Sequence, residues 1–299
     1  MAASLGRCLL VSLFALSQWS PNSLVAASPR PHAQPNGESN IVKRAVPYGE
    51  LIYGCDVPGV IAPAFDDGPW IYTEDILDRM EAANFKATWF INGQNKDNIY
   101  KYNATLKRMI ALGHQIGSHT WSHKDLATLT PTDTALQMTQ LEEALVNILG
   151  YMPTYMRPPF LSYNQAVLDV MRDLQYVVII GDLNTRDWAY QSATEIENAK
   201  QLFVTGLDQG FTIVEAHDQE EWTHGVLIDF MIQTVQQRGL VTVPVGACMG
   251  QSPSEWYRTA RAPPPSGTVG IPLFLCSFFS TSPFFGFSFL SPLTCGIQG

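Results

Sequence analysis

Short apolar runs alternate with amphipathic stretches throughout residues 48–258. The apolar runs have the length of buried strands and fall at residues 60–65, 87–91, 115–118, 176–181, 211–216 and 240–245. Amphipathic stretches at residues 132–149 and 226–238 predict helices, each followed by a glycine where a helix cap favours positive φ, Gly150 and Gly239. Near-continuous apolar strands separated by helices predict a parallel sheet that helices cover.

Polar residues with catalytic chemistry stand where these predicted strands end. Asp66 and Asp67 end the first run, His119 follows the third, Asp182 follows the run at 176–181, and His217 follows the run at 211–216. Functional groups at the carboxyl ends of parallel strands are typical of a (β/α) barrel. The sequence therefore predicts a barrel with its active site at this one end.

Two adjacent carboxylates and a pair of histidines suggest a hydrolytic metal site. The chain reads Asp66-Asp67 and, further on, His119 and His123 at a spacing of four. Asp and His are suitable ligands for Zn²⁺, and a catalytic zinc keeps three protein ligands and one open position. One carboxylate can bind the ion while its neighbour takes a proton from water. Each half alone is a weak signal, because Asp-Asp is common in solvated turns.

Length and charge limit the function classes. The 299 residues allow one large domain or two small ones, and 46% apolar content is enough for a core. The formal net charge is −9 with only 18 Lys and Arg, and no basic run exceeds two residues. Nucleic acid is therefore not an expected partner.

The amino terminus has the order of a secretory signal peptide over residues 1–28. Arg7 precedes an apolar stretch at 8–15, and small residues follow at 26–28. The apolar stretch is too short to span a bilayer, so no transmembrane helix is expected. Residues 29–47 read as a linker or pro-segment, in which the pair at 43–44 is either a processing site or part of an exposed loop.

Secretion changes the interpretation of the cysteines. In an oxidising compartment Cys55, before the first core strand, and Cys248, after the last, are expected to form a disulfide; the alternative is two buried thiols.

Residues 259–299 form a Pro-, Phe- and Ser-rich tail that carries no charge after Arg261. Its composition fits a GPI signal, a disordered tail or a segment without function.

Five motifs in order resemble one enzyme family. They are Phe65-Asp66-Asp67-Gly68-Pro69, His119-x-x-x-His123, Arg157-Pro158-Pro159-Phe160, Asp182-x-x-x-x-Asp187-Trp188 and Ile213-Val-Glu-Ala-His217-Asp218. The series resembles the polysaccharide deacetylases, the NodB-homology carbohydrate esterases, and is most similar to fungal chitin deacetylases. The resemblance implies an α/β fold, a distorted (β/α)₇ barrel forming a single catalytic domain at residues 48–258. It also implies a divalent metal, usually Zn²⁺ with Co²⁺ or Mn²⁺ as alternatives. The protein is expected to be a monomer.

The resemblance also assigns roles. Asp67, His119 and His123 would hold the metal, Asp66 would be the general base, and His217 would be the general acid. Four further residues support these groups by the same analogy: Arg157 beside Asp66, Asp187 beside His217, the backbone N–H of Phe160 as an oxyanion donor, and Trp188 as a wall of the acetyl pocket.

Two positions depart from the family pattern. Glu215 stands where Leu commonly lines the pocket for the acetyl methyl group, and Asn184 stands where Asp is frequent. Glu215 either faces the substrate or points away from the site. Neither residue is an implied metal ligand or base, so neither departure abolishes the mechanism. A Glu215 side chain that faces the substrate would affect the rate and the substrate preference.

Three functions remain open at this stage. The first is a secreted metal-dependent deacetylase that converts N-acetylglucosamine units of chitin or chito-oligomers to chitosan and acetate. The second keeps the site but acts on acetyl xylan or peptidoglycan, and the third is a low-activity carbohydrate-binding relative. The expected location is extracellular, with cell-wall or GPI attachment as variants.

Overall fold

The computed structural model describes residues 46–262. The predicted signal peptide, the pair at 43–44, nearly all of the linker and nearly all of the tail lie outside the described residues. The helices are α1 Thr73–Ala82, α2 Asn103–Ala111, α3 Pro131–Leu149, α4 Gln165–Asp173, α5 Ile196–Asp208, α6 Ile228–Gln237 and α7 Val245–Cys248. The strands are β1 Leu51–Ile52, β2 Val60–Asp66, β3 Thr88–Ile91, β4 Gln115–Ser118, β5 Met152–Pro153, β6 Tyr155–Met156, β7 Val177–Ile179, β8 Leu183–Asn184, β9 Ile213–His217, β10 Val241–Thr242 and β11 Tyr257–Arg258.

One parallel sheet organises the domain. Its strand order is β1-β7-β6-β4-β3-β2-β9-β8, and β10 pairs with the start of β2. A separate antiparallel pair joins β11 to β5. Parallel neighbours need crossover connections, which place helices around the outside of the sheet. The sheet forms a half-barrel surrounded by helices, so the predicted distorted (β/α)₇ architecture in a single domain is confirmed.

The alternation of side chains along β2 decides which residues reach the interior. Ile61 and Phe65 pack in the core cluster that contains the helix residues Ile76 and Met80. Ala62 and Ala64 belong to a second cluster inside the barrel, together with residues of β7, β9 and the carboxyl-terminal segment. Successive side chains of a strand point to opposite faces, so Asp66 continues the inward series at the carboxyl end of β2.

The two predicted helices are present with defined ends. Helix α3 begins after Thr130, whose hydroxyl accepts a hydrogen bond from the Asp133 N–H, and ends at Gly150 with φ of 87°. This left-handed cap is the conformation for which glycine was expected. The second helix differs from the prediction, because a π-helical turn over Thr223–Leu227 precedes α6.

The strand predicted at residues 240–245 is shorter than expected. Only Val241–Thr242 pairs as β10, and the chain then enters α7. Pro244 has no N–H to donate to a strand ladder, which ends the pairing. The Val245 N–H instead donates to Thr88 Oγ1 at 2.8 Å, and the Gly246 N–H donates to Gln115 Oε1 at 2.7 Å. Because Thr88 and Gln115 begin β3 and β4, α7 covers the amino ends of the strands.

The last described residues form hydrogen bonds and an ion pair with the barrel domain. Arg258 donates hydrogen bonds to the carbonyl oxygens of Leu174 and Gln175, each at 2.6 Å. Arg261 forms an ion pair with the buried Glu142. Contacts with the domain thus continue past residue 258. No helix within residues 46–262 is long and apolar enough to cross a membrane.

The predicted disulfide between Cys55 and Cys248 is present, and the two residues are 193 positions apart. Replacing both with Ala should lower the free energy of unfolding by up to about 5 kcal/mol, because the open chain regains loop entropy when it unfolds. Urea unfolding midpoints of the double variant and the native protein measure the effect. The reduced native protein is the control and should match the variant. Equal midpoints for the oxidised protein and the variant would contradict a stabilising cross-link.

Candidate active site

The carboxyl ends of the parallel strands enclose a cavity of about 500 Å³. Asp66 is the last residue of β2, His217 is the last residue of β9, and His119 directly follows β4. The site residues that the family resemblance assigns line this cavity, except Arg157 and Asp187, which are fully buried. The structure therefore brings the predicted groups together at one end of the barrel.

The loops around the cavity adopt unusual backbone conformations. Asp67, His123, Phe160 and Leu161 line the cavity and have φ values of 76°, 53°, 59° and 52°. Left-handed φ is uncommon for residues other than glycine, and it persists only where the surroundings enforce it. Such concentration at one cavity indicates that the loops are shaped to present particular side chains.

Asp67, His119 and His123 converge on one point. Their ligand atoms lie within 4.8 Å of one another. Asp67 Oδ1 lies 2.9 Å from His123 Nε2 and 3.4 Å from His119 Nε2. His119 Nδ1 lies 2.7 Å from the carbonyl oxygen of Arg157. Because a carbonyl can only accept, Nδ1 carries the proton and Nε2 presents a lone pair, which is the arrangement of a metal-ligating histidine.

The charges at these three residues favour a cation. Burial alone would lower the pKa of His119, but the negative charges of Asp66 and Asp67 raise it above its usual value. Burial would raise the pKa of Asp67, but the imidazoles of His119 and His123 lower it below its usual range. Asp67 Oδ1 is buried and has no hydrogen-bond partner within residues 46–262. One carboxylate and two imidazoles form a donor set that fits a divalent ion such as Zn²⁺.

Asp66 is held by a buried ion pair. Arg157 Nη1 lies 2.9 Å from Asp66 Oδ1, and neither side chain is exposed beyond 2%. The Arg157 guanidinium also lies over the ring of Phe90, 4.7 Å from its centre. Breaking such a pair leaves an uncompensated buried charge, which costs about 3–5 kcal/mol. The carboxylate of Asp66 is thus fixed in orientation beside the three converging ligands.

His217 is held by a second buried carboxylate. Its Nδ1 lies 2.7 Å from Asp187 Oδ1, and its backbone N–H donates to Asp187 Oδ2 at 2.7 Å. The Thr223 hydroxyl donates to the same oxygen at 2.5 Å. Burial would lower the pKa of His217, but the charge of Asp187 raises it well above its usual value. The imidazole is therefore stabilised in its protonated form.

Glu215 faces the cavity, and it contacts the second departure from the family pattern. It precedes His217 by two residues on β9 and so shares its face. Asn184 lies beside it in register, and Asn184 Nδ2 donates to Glu215 Oε2 at 2.9 Å. Burial raises the pKa of Glu215 to about 7. The alternative that this residue points away from the site is therefore wrong.

Two aromatic side chains stand at the cavity mouth. Phe160 is 68% exposed and Trp188 is 51% exposed, although both line the cavity. The Phe160 ring contacts His123 edge-on, with ring centres 4.6 Å apart. Exposed aromatic faces beside a cavity are suited to stack on a ligand.

Gln219 and Thr223 also belong to the site, although neither was predicted from the sequence. Gln219 lines the cavity, and its Nε2 donates to Asp67 Oδ2 at 2.6 Å, which leaves Oδ1 facing the histidines. Gln219 directly follows the last motif in the sequence, and this position could have indicated that it belongs to the site. Thr223 lies in the π-helical turn and completes the hydrogen bonds of Asp187. No pattern in the sequence marks that contact.

Asp182 does not belong to the site, which corrects the expectation based on its position after a strand. Its Oδ1 accepts hydrogen bonds from the N–H groups of Thr212 and Ile213, at 2.9 and 2.7 Å. Ile213 begins β9, whereas His217 ends it at the cavity. Asp182 therefore caps the start of β9 at the opposite end of that strand.

Several known proteins have sequences similar to this one. A family model described as polysaccharide deacetylase matches residues 54–179. A chitin deacetylase of Pestalotiopsis sp is 45% identical over 215 residues, which cover 72% of this chain and 72% of that protein. A probable peptidoglycan-N-acetylglucosamine deacetylase of Arthroderma benhamiae is 41% identical over 224 residues, 75% of this chain; the match spans only 51% of that protein.

A solved structure shows the same fold. The chitin deacetylase from the fungal pathogen Colletotrichum lindemuthianum superposes with a TM-score of 0.70 at 36% identity, covering 73% of this chain and 99% of that one. The chain belongs to the polysaccharide deacetylase family and is a hydrolase that acts as a deacetylase.

Proposed function

We propose that this protein is a secreted, metal-dependent deacetylase that hydrolyses the acetamide of N-acetylglucosamine units in chitin or chito-oligomers to chitosan and acetate. One observation carries the proposal: the three converging ligands share a cavity with a carboxylate that is paired with an arginine and a histidine that is paired with a carboxylate. Arg157 places a positive charge against Asp66, and Asp187 places a negative charge against His217. Such a separation is what a base and an acid in one site require.

Asp67, His119 and His123 are proposed to hold the metal, with Zn²⁺ favoured by the donor set and Co²⁺ or Mn²⁺ as alternatives. When bound, the ion supplies a Lewis acid that polarises the acetamide carbonyl and stabilises negative charge on its oxygen. Gln219 orients the Asp67 carboxylate, and the Arg157 carbonyl fixes the tautomer of His119.

Asp66 is the proposed general base. It accepts a proton from the water that attacks the acetamide carbon, while Arg157 holds its carboxylate in place. His217 is the proposed general acid and gives its proton to the departing nitrogen, because an amine anion cannot leave at neutral pH. The Phe160 N–H is proposed as an oxyanion donor, and Trp188 as a wall of the substrate pocket.

A second candidate substrate is peptidoglycan, favoured by the name of the Arthroderma benhamiae relative. Chitin and peptidoglycan share the N-acetylglucosamine unit, so the same groups serve both.

The predicted signal peptide and the Cys55–Cys248 disulfide support an extracellular location, since disulfides persist in oxidising compartments. The protein is proposed to be a monomer. The tail at residues 259–299 is a candidate for attachment to the cell wall or membrane.

Acetate release tests the function. The full chain should release acetate from a chito-oligomer, lose that activity with a chelator and regain it when Zn²⁺ is added back. Peptidoglycan assayed in parallel decides between the two substrates. Turnover that survives complete removal of the metal would contradict metal dependence, and zinc binding without turnover on either polymer would contradict the enzymatic proposal.

The two aspartates can be separated by mutation. Asp66→Asn should keep the ion held by Asp67, His119 and His123 but lower kcat by roughly 10²–10⁴-fold, because only the proton acceptor is removed. His119→Ala should lose that ion and turnover, because one of its three ligands is gone. Zinc content per chain and acetate release measure the two effects. Loss of zinc in Asp66→Asn with retention in His119→Ala would show that the ligand set is wrongly assigned.

The pH dependence of activity tests His217 as the acid. The group acts while protonated, so activity should fall as pH rises through its pKa, which Asp187 raises. Asp187→Asn removes that negative charge, lowers the pKa of His217 and should move the alkaline limb of kcat/KM to lower pH. The matched control is Asp182→Asn, at the other end of β9, whose alkaline limb should coincide with that of the native enzyme. A limb that stays in place in Asp187→Asn would rule out His217 as the titrating acid.

A further inference from the structure

A second group of potential metal ligands lies in the same cavity. The ligand atoms of Asp66, Glu215 and His217 are within 4.8 Å of one another, and all three residues are buried. The group shares no residue with the set formed by Asp67, His119 and His123. Two carboxylates and one imidazole form a donor set that suits Zn²⁺. Glu215 completes this group only because this chain departs from the family at that position.

The His217 imidazole presents its Nε2 atom to this group. Its Nδ1 is engaged by Asp187 at 2.7 Å, whereas Nε2 makes no hydrogen bond within the described part of the chain. The side chain is nine-tenths buried and lines the cavity, with Glu215 Oε1 at 3.8 Å from Nε2. A carboxylate behind the imidazole and a cavity-facing nitrogen whose proton Zn²⁺ can displace are the features of a zinc-binding histidine.

Glu215 is oriented to offer a single oxygen. The Arg186 N–H donates to Asn184 Oδ1 at 2.7 Å, which identifies the other Asn184 atom as the amide nitrogen. That nitrogen donates to Glu215 Oε2 at 2.9 Å and leaves Oε1 on the side of His217. Asn184 is thus a positioning residue for the Glu215 carboxylate.

The surrounding charges allow a second cation to bind, but with lower affinity than the cation at Asp67, His119 and His123. Asp66, Glu215 and Asp187 bring three carboxyl groups to this side of the cavity. The Arg157 guanidinium, 2.9 Å from Asp66, repels a nearby cation. Within residues 46–262, Asp67 forms ion pairs with His119 and His123 and with no lysine or arginine, so this site should fill first.

We propose that Asp66, Glu215 and His217 form a second, weaker Zn²⁺ site whose occupation inhibits the enzyme. An ion held there displaces the Nε2 proton of His217 to solvent and takes the lone pairs of His217 and Asp66, so Asp66 no longer accepts a proton and His217 no longer delivers one. The inhibition rests on the proposed roles of Asp66 and His217, whereas the binding itself does not.

The experiment titrates metal-free full-length protein with ZnCl₂ and records binding by calorimetry and zinc content per chain. The native protein should bind two ions in separate events. Glu215→Leu and the isosteric Glu215→Gln should keep the first event and weaken the second by at least about ten-fold; Asn184→Ala should weaken it by about 10–100-fold, as for other outer partners of metal ligands. Glu220→Gln is the matched control, because Glu220 is a half-exposed carboxylate near the same cavity, and it should keep both events.

Acetate release is measured in the same series, as the ratio of activity in excess zinc to activity with one equivalent. This ratio should fall in the native enzyme and in Glu220→Gln, and stay near one in both Glu215 variants. A single binding event in the native protein, or a second event that both Glu215 variants retain, would overturn the site. A second event that depends on Glu215 in a protein without turnover would support the site and contradict the proposed function.

Discussion

Arg157 is the residue on which the arrangement of the cavity depends. Its guanidinium pairs with Asp66, its carbonyl accepts from His119 Nδ1, and its fully buried side chain packs on Phe90. One residue thereby fixes both a carboxylate and one of the converging imidazoles. A buried cation without its partner is costly, so the pair specifies the positions of both residues as well as their charges.

The electrostatic pattern of the cavity follows from this interaction and its counterpart. Arg157 provides positive charge at one wall, and the Asp187–His217 pair provides a stabilised proton at the other. Asp67 and its two histidines lie where buried acidic charge favours a cation. The low dielectric of the interior strengthens these electrostatic interactions, which water would otherwise screen.

Much of this could be predicted from the sequence, because strand ends mark one edge of a parallel sheet. Asp66, His119 and His217 follow apolar runs and do meet at that edge. The same rule failed for Asp182, since its carboxylate caps the N–H groups that begin β9, a contact that depends on the fold. The orientation of Glu215 follows from its spacing to His217, but its bond to Asn184 required the register of β8 against β9. Gln219 and Thr223 act through tertiary contacts that no local pattern encodes.

The Cys55–Cys248 disulfide encloses in sequence every residue assigned to the cavity, from Asp66 to Gln219. A protease that cut any surface loop inside this span would produce two fragments that remain covalently joined. Because the β2 and β9 ladders hold residues from both sides of most cuts, the fragments would also stay paired. The cross-link therefore makes the enzyme tolerant of single nicks as long as it remains oxidised. Reduction would leave strand pairing alone to hold the fragments, without altering any group in the cavity.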